Sequence, residues 1–260
     1  QYDPVGTNVG GYIDGMSLYE YVGSDPVAKY DPLGLFWHVF RNGKSRATAE
    51  VFLNYTKISV LAVKTRLDPF EFKKWMKLTN KKILTRNGPK TLSDLTPTDD
   101  ICPREKVTVP NTFAIVVGNM LNYQFMFMSR QAFAVRREMM SKGFLVNYYD
   151  RRVLEWPSKD QLIAIDKKDW WGLGLFGHGD NGEGFVLDGY LGGAWPTETL
   201  SPSELKGDFK YGGLIGAFCY SGDPITGGLD WKDIVFGVSF LKNGFYVAPL
   251  GPANFGYLRW

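Results

Sequence analysis

At 260 residues, with 30 Lys and Arg against 27 Asp and Glu, the chain carries a formal charge of +3, a balance too mild to specify a nucleic-acid or membrane partner. A chain of this size buries roughly 70–75% of its unfolded surface, so it holds a full core without staples. Its two cysteines, Cys102 and Cys219, exclude a disulfide framework and show no spacing for structural zinc, and no apolar run approaches the ~20 residues of a membrane span.

Residues 1–35 are turn-rich, with Asp3-Pro4, Asp31-Pro32 and several glycines interleaved with tyrosines. Such punctuation predicts short strands joined by tight turns. From 36 to 110 the apolar spacing of Thr48 to Leu61 and of Pro69 to Leu78 is helix-like. It predicts a small helical connector with Phe70, Phe72, Trp75, Met76 and Leu78 as its buried face. Leu92 to Pro110, rich in Thr, Asp and Pro, reads as a linker. The basic cluster of Lys73, Lys74, Lys77, Lys81, Lys82, Arg86 and Lys90 reads as a solvated face, with contact to a phosphate backbone or an anionic membrane as the alternative.

From Asn111 to residue 260 the pattern becomes alternating strands and helices. Strands are predicted at Thr112–Gly118, Phe144–Tyr148, Trp170–Phe176, Leu214–Phe218 and Phe245–Pro249. Helices are predicted at Ser129–Lys142, Ser158–Ile165, from about Pro202 after the capping box Ser201–Glu204, and over Trp231–Leu241. Gly182 to Gly189 reads as a hairpin. The fold class is therefore α/β, a mostly parallel sheet flanked by helices, in which ligands sit at the carboxyl ends of the strands.

Two of those ends carry chemistry. Gly177-His178-Gly179 closes one apolar run and Ala217-Phe218-Cys219-Tyr220-Ser221-Gly222 closes the next. A thiol needs a partner to leave its resting pKa of about 8.5, and an imidazole is such a partner. A disulfide between Cys102 and Cys219 is compatible with the sequence but would withdraw the thiol from the pair. The plainer alternative is that Cys219 is a small buried hydrophobe and His178 a structural loop residue. The remaining histidine, His38, is isolated among Phe36, Trp37, Val39 and Phe40.

Two resemblances extend this reading. Asp14-Gly15-Met16-Ser17-Leu18-Tyr19-Glu20-Tyr21-Val22 followed by Asp31-Pro32-Leu33-Gly34-Leu35 closely resembles the end of the core of Rhs (YD-repeat) proteins. That resemblance implies a β-cage enclosing a C-terminal toxin and an aspartyl autoprotease that cuts after Asp-Pro-x-Gly-Leu, here between Leu35 and Phe36. Asp3 and Asp31 stand at positions resembling the autoprotease aspartates, although Asp3 lacks the Gly-Leu that usually follows. Both aspartates equally suit plain turn openers.

The second resemblance covers about residues 111–250. A His-Gly after one strand and Ala-x-Cys-x-Ser-Gly after the next, about forty residues apart, is similar to the caspase, legumain, separase and CHAT-domain clan of cysteine peptidases. It implies a caspase-like fold in which Cys219 attacks the scissile carbonyl and His178 acts as base or protonates the departing amine, with the N–H groups of Gly179 and Cys219 holding the oxyanion. Phe218 departs from the pattern, since many relatives place a small residue there. Asp180 and Asp223 are candidates for the first specificity pocket, favouring Lys or Arg.

Together these readings divide the chain into an Rhs segment at 1–35, a connector at 36–110 and a peptidase domain at 111–260. They imply a protein or peptide substrate, an Rhs cage with secretion machinery, a cognate immunity protein, no cofactor, no metal and no nucleic acid. The toxin is expected to be secreted or delivered into a target cell, with no signal peptide in this chain. An inactive caspase-like binding domain and a nucleic-acid toxin are the competing functions.

Overall fold

The computed structural model describes residues 37–118, 122–151, 157–180, 184–188, 198–218, 228–236 and 245–247. Residues 37–110 build β1 (Trp37–Phe40), β2 (Arg46–Val51), β3 (Thr56–Lys57), α1 (Ile58–Thr65), α2 (Phe72–Trp75), β4 (Lys77–Leu78), β5 (Ile83–Thr85), β6 (Gly88–Lys90), β7 (Asp100–Ile101) and β8 (Lys106–Pro110). These strands form two four-stranded antiparallel sheets, ordered β1-β2-β8-β4 and β3-β7-β5-β6.

The expected helical connector and linker are thereby corrected to a packed β module with two short helices. In β2 the residues Ala47, Ala49 and Val51 are buried and alternate with partly exposed Arg46, Thr48 and Glu50, the period of a half-buried strand. That period wins over the helical one because Phe52 and Leu53, needed for a helical stripe, lie more than half exposed. The expected apolar face over Pro69 to Leu78 holds for Phe72, Trp75 and Met76 but not for Phe70, which is 84% exposed. Within the expected linker, Leu95, Ile101, Val107 and Val109 are buried.

The rest of the described chain alternates strands and helices: β9 (Thr112–Val117), α3 (Asn122–Ser141), β10 (Leu145–Asp150), α4 (Lys159–Ala164), β11 (Trp170–Phe176), β12 (His178–Asp180), β13 (Gly184–Asp188), β14 (Glu198–Leu200), α5 (Pro202–Leu205), β15 (Gly213–Ala217), α6 (Gly228–Asp233) and β16 (Phe245–Val247). Five of these strands pair in parallel in the order β10-β9-β11-β15-β16. The fold is mixed α/β. Ser158 and Ser201 each start a helix with a reciprocal capping box, closed by Gln161 and Glu204.

Alternation along the strands sends side chains into two layers. Phe113, Ile115, Val117, Ile215 and Ala217 face a core shared with Met128, Ala132 and Met139 of α3 and with Trp37, Leu61, Trp75 and Val109 of the β module. Ala114, Val116, Leu173, Leu175, Leu214 and Phe218 face the other, with Leu162, Phe185, Leu187, Leu205 and Trp231. The β module is anchored at the amino ends of the strands. Arg41 donates to Asn111 Oδ1 (2.6 Å), Arg46 pairs with Asp169 (2.6 Å) and Trp171 Nε1 donates to the Thr65 carbonyl (2.7 Å). The carboxyl ends of β9, β11 and β15 are thus left to other elements.

Candidate functional site

All seven residues of β11 are buried, the continuous apolar run of a strand covered on both faces. At its carboxyl end the ladder continues one residue further, with Gly118 N–H donating to the Phe176 carbonyl (3.0 Å) and Gly177 N–H to the Ala217 carbonyl (3.2 Å). The ends of β9, β11 and β15 are therefore in step, Phe176 being the Cα partner of both Val117 and Ala217. Between β9 and β11 the strand order reverses, the switch point at which open α/β sheets bind ligands.

His178 follows Gly177 and opens β12, which pairs with β13 through His178–Val186, Gly179–Phe185 and Asp180–Gly184; β14 then pairs with β13. The expected hairpin over Gly182 to Gly189 is corrected accordingly: Gly184–Asp188 is one strand, the middle of a three-stranded antiparallel sheet. Gly179 lies within a ladder and not in an open loop. This small sheet crosses the ends of the parallel strands at very close range. A Cβ on Gly118 would stand 2.5 Å from the Val186 carbonyl oxygen, and one on Gly177 3.0 Å from the Phe185 ring. Only glycine allows so close an approach.

His178 is half-buried, and desolvation holds its imidazole below the usual histidine value. It is therefore neutral at pH 7 and able to accept a proton. Cys219, the other member of the expected pair, lies outside the described residues, as do Asp223, Asp3, Asp31, Leu35 and Phe36. The last described residue before Cys219 is Phe218, whose ring meets Phe185 and Trp231 edge-on, each at 5.4 Å between centroids. The bulky side chain before the cysteine is thus a core anchor that ties β15 to β13 and α6. It stood out as a departure because many members of the resembling clan carry a small residue there, and its packing role was not legible because Phe185 and Trp231 are not its neighbours in sequence.

Cys102 is a free, half-exposed thiol in the β module, its N–H donating to the Leu84 carbonyl (3.0 Å). His38 on β1 stacks with Phe40 and meets the Phe52 ring at a tilt, its imidazole lowered by burial and by the charge of Lys64. Much of the basic cluster is paired or bonded: Lys73 to the Ser93 carbonyl, Lys74 to Glu71, Lys77 to Asp169, Arg86 to Asp100 and Lys90 to Asp99. That is the pattern of a solvated face.

One group escaped the sequence reading. Arg151, immediately after β10, meets Asp188 on β13 (3.6 Å) and Glu198 on β14 (3.3 Å). Its partners are remote in sequence, so no local pattern announces it. A recess of about 240 Å³ lined by Lys167, Lys206 and Asp208 lies at the amino ends of the strands, away from His178. Among the described residues no three or more His, Cys, Asp or Glu side chains gather to hold a metal ion, and no helix is long and apolar enough to cross a membrane. Protein-family models, curated proteins and solved structures contain no match to this chain.

Proposed function

We propose that this chain ends in a cysteine endopeptidase toxin domain of caspase-like fold, borne by an Rhs protein. The observation that carries the reading is the pairing of Phe176 with Ala217 at the ends of neighbouring parallel strands, since His178 and Cys219 each follow two residues later. Cys219 directly follows Phe218 in the sequence, and Phe218 is anchored in the core. The strand order with β10 outside β9, the helices on both faces and the small sheet after His178 all support the caspase-like form.

In the proposed reaction His178 takes the Cys219 proton and the thiolate attacks the scissile carbonyl carbon. The oxyanion is held by the N–H groups of Gly179 and Cys219, and collapse breaks the C–N bond as His178 returns the proton to the departing amine. Water, deprotonated by His178, then hydrolyses the thioester and the thiol is regenerated. Asp180 and Asp223 give the first pocket its preference for Lys or Arg.

Residues 1–35 belong, in this reading, to the Rhs core, with cleavage between Leu35 and Phe36 aided by Asp31 and Asp3. The toxin is delivered to a target cell and restrained at home by an immunity protein. The test is a panel of fluorogenic peptides ending in Lys or Arg, in Asp, or in small apolar residues, offered beside DNA and RNA. Cleavage after Lys or Arg supports the whole reading, and cleavage after Asp removes the roles of Asp180 and Asp223. Degradation of nucleic acid alone returns the nucleic-acid toxin, and no turnover of any substrate returns the inactive binding domain.

A further inference from the structure

The small β12–β13–β14 sheet carries His178, yet it hangs beyond the ends of the parallel strands and needs something to hold its angle. Phe185 and Phe218 supply one fixed point through apolar contact. The other is polar. Arg151 follows the last residue of β10, where its N–H donates to the Val117 carbonyl (3.0 Å), so its backbone is locked to the parallel sheet. Its side chain is 11% exposed and reaches both Asp188, at the end of β13, and Glu198, at the start of β14.

The chain of connection is short. Asp188 and Glu198 are Cα partners just past a register shift that follows the Val186–Thr199 pair, and Val186 is in turn the Cα partner of His178. The Val186 carbonyl is also the atom packed against Gly118, the residue after Val117. Arg151 and Gly118 therefore fix neighbouring points of β13 against the carboxyl ends of β10 and β9. Both ion pairs run through a single guanidinium nitrogen, Nη2, which stands between the two carboxylates and offsets their mutual repulsion.

We infer that Arg151 is a positioning residue of the candidate site: by clasping Asp188 and Glu198 it fixes β13 and β14 on the ends of the parallel strands and so sets where the His178 imidazole stands. The assignment rests on the peptidase reading for its kinetic consequence but not for its structural one.

The experiment compares Arg151→Met, Arg151→Lys and the charge-neutral triple variant Arg151→Met/Asp188→Asn/Glu198→Gln in the full chain. The triple variant is needed because removing one partner alone leaves like charges uncompensated and threatens folding. Each is assayed for kcat and KM on the best peptide of the panel and for the ring ¹H–¹³C signal of His178, assigned with His38→Gln. The triple variant is expected to melt near the parent, lose roughly tenfold to a hundredfold in kcat, the scale of a displacement of about an ångström, and leave KM nearly unchanged. The His178 signal should move in Arg151→Met and in the triple variant, and return part of the way in Arg151→Lys. If the triple variant is folded and keeps both the parent kcat and the parent His178 signal, Arg151 does not position the histidine. If the parent hydrolyses no peptide, the peptidase reading fails while the His178 signal still decides the clasp, a moved signal supporting it and an unmoved one overturning it.

Discussion

Phe176 and Ala217 face each other as Cα partners at the carboxyl ends of β11 and β15, and from each the chain runs two residues to a side chain able to do acid–base or nucleophilic chemistry. Neighbouring parallel strands of a sheet are only ~4.8 Å apart, so the proposed pairing of His178 with Cys219 starts from strand ends that lie side by side.

That relationship predicts one fast thiol. Cys219 is expected to react rapidly with iodoacetamide at neutral pH and Cys102 slowly, as read by mass spectrometry of a time course. Cys219→Ala and His178→Ala should each abolish peptide hydrolysis, with losses that do not add in the double variant because the pair acts as a unit. Full activity in Cys219→Ala would end the peptidase reading.

Stability should depend on pH through the histidines. Burial lowers the folded-state value of both His178 and His38 below the unfolded one, so between the two values the unfolded chain binds more protons. The stabilisation is complete above the ordinary histidine value of about 6.5 and is lost as the pH falls through the lowered folded values. Melting temperature should drop across that window, and less steeply in His178→Gln and His38→Gln. A slope that neither substitution changes would refute the assignment.

Phe218 is expected to behave as a core residue. Phe218→Ala, which empties the contact with Phe185 and Trp231, should cost about 3–5 kcal/mol in urea unfolding. Phe70→Ala should stay within about 0.5 kcal/mol, because Phe70 is 84% exposed. Equal effects at the two positions would contradict the packing described.

Gly118→Ala tests the cover over the strand ends. The new methyl would meet the Val186 carbonyl at 2.5 Å, and backbone cannot turn aside as a side chain can. A loss of about 1–3 kcal/mol is expected, accompanied by a shift of the His178 ring signal, since Val186 is its ladder partner. A thermally neutral variant with an unmoved signal would mean that β13 does not lie so close.

Maturation is predicted from Asp31-Pro32-Leu33-Gly34-Leu35. When a precursor with the complete Rhs core is expressed, N-terminal analysis should find a fragment beginning at Phe36, whereas the 260-residue chain alone should stay whole. An uncut junction in a precursor with a functional core would sink the proposal.

The sequence alone determined what depends on near neighbours. From Asn111 onward, continuous apolar runs separated by helix starts were enough to locate the strands that became β9, β10, β11 and β15, and to put His178 at the end of one of them. The capping box at Ser201 was legible because it closes within four residues of chain. Tertiary structure decided the rest. The β module of residues 37–110 has strands as short as two residues, which have no period to read, and their pairing partners lie tens of residues away. The placement of His178 in a ladder, the anchoring of Phe218 by Trp231 and the grip of Arg151 on Asp188 and Glu198 depend equally on distant segments meeting. A local pattern records which face of a strand avoids water, but a contact between remote residues exists only once the chain has closed upon itself.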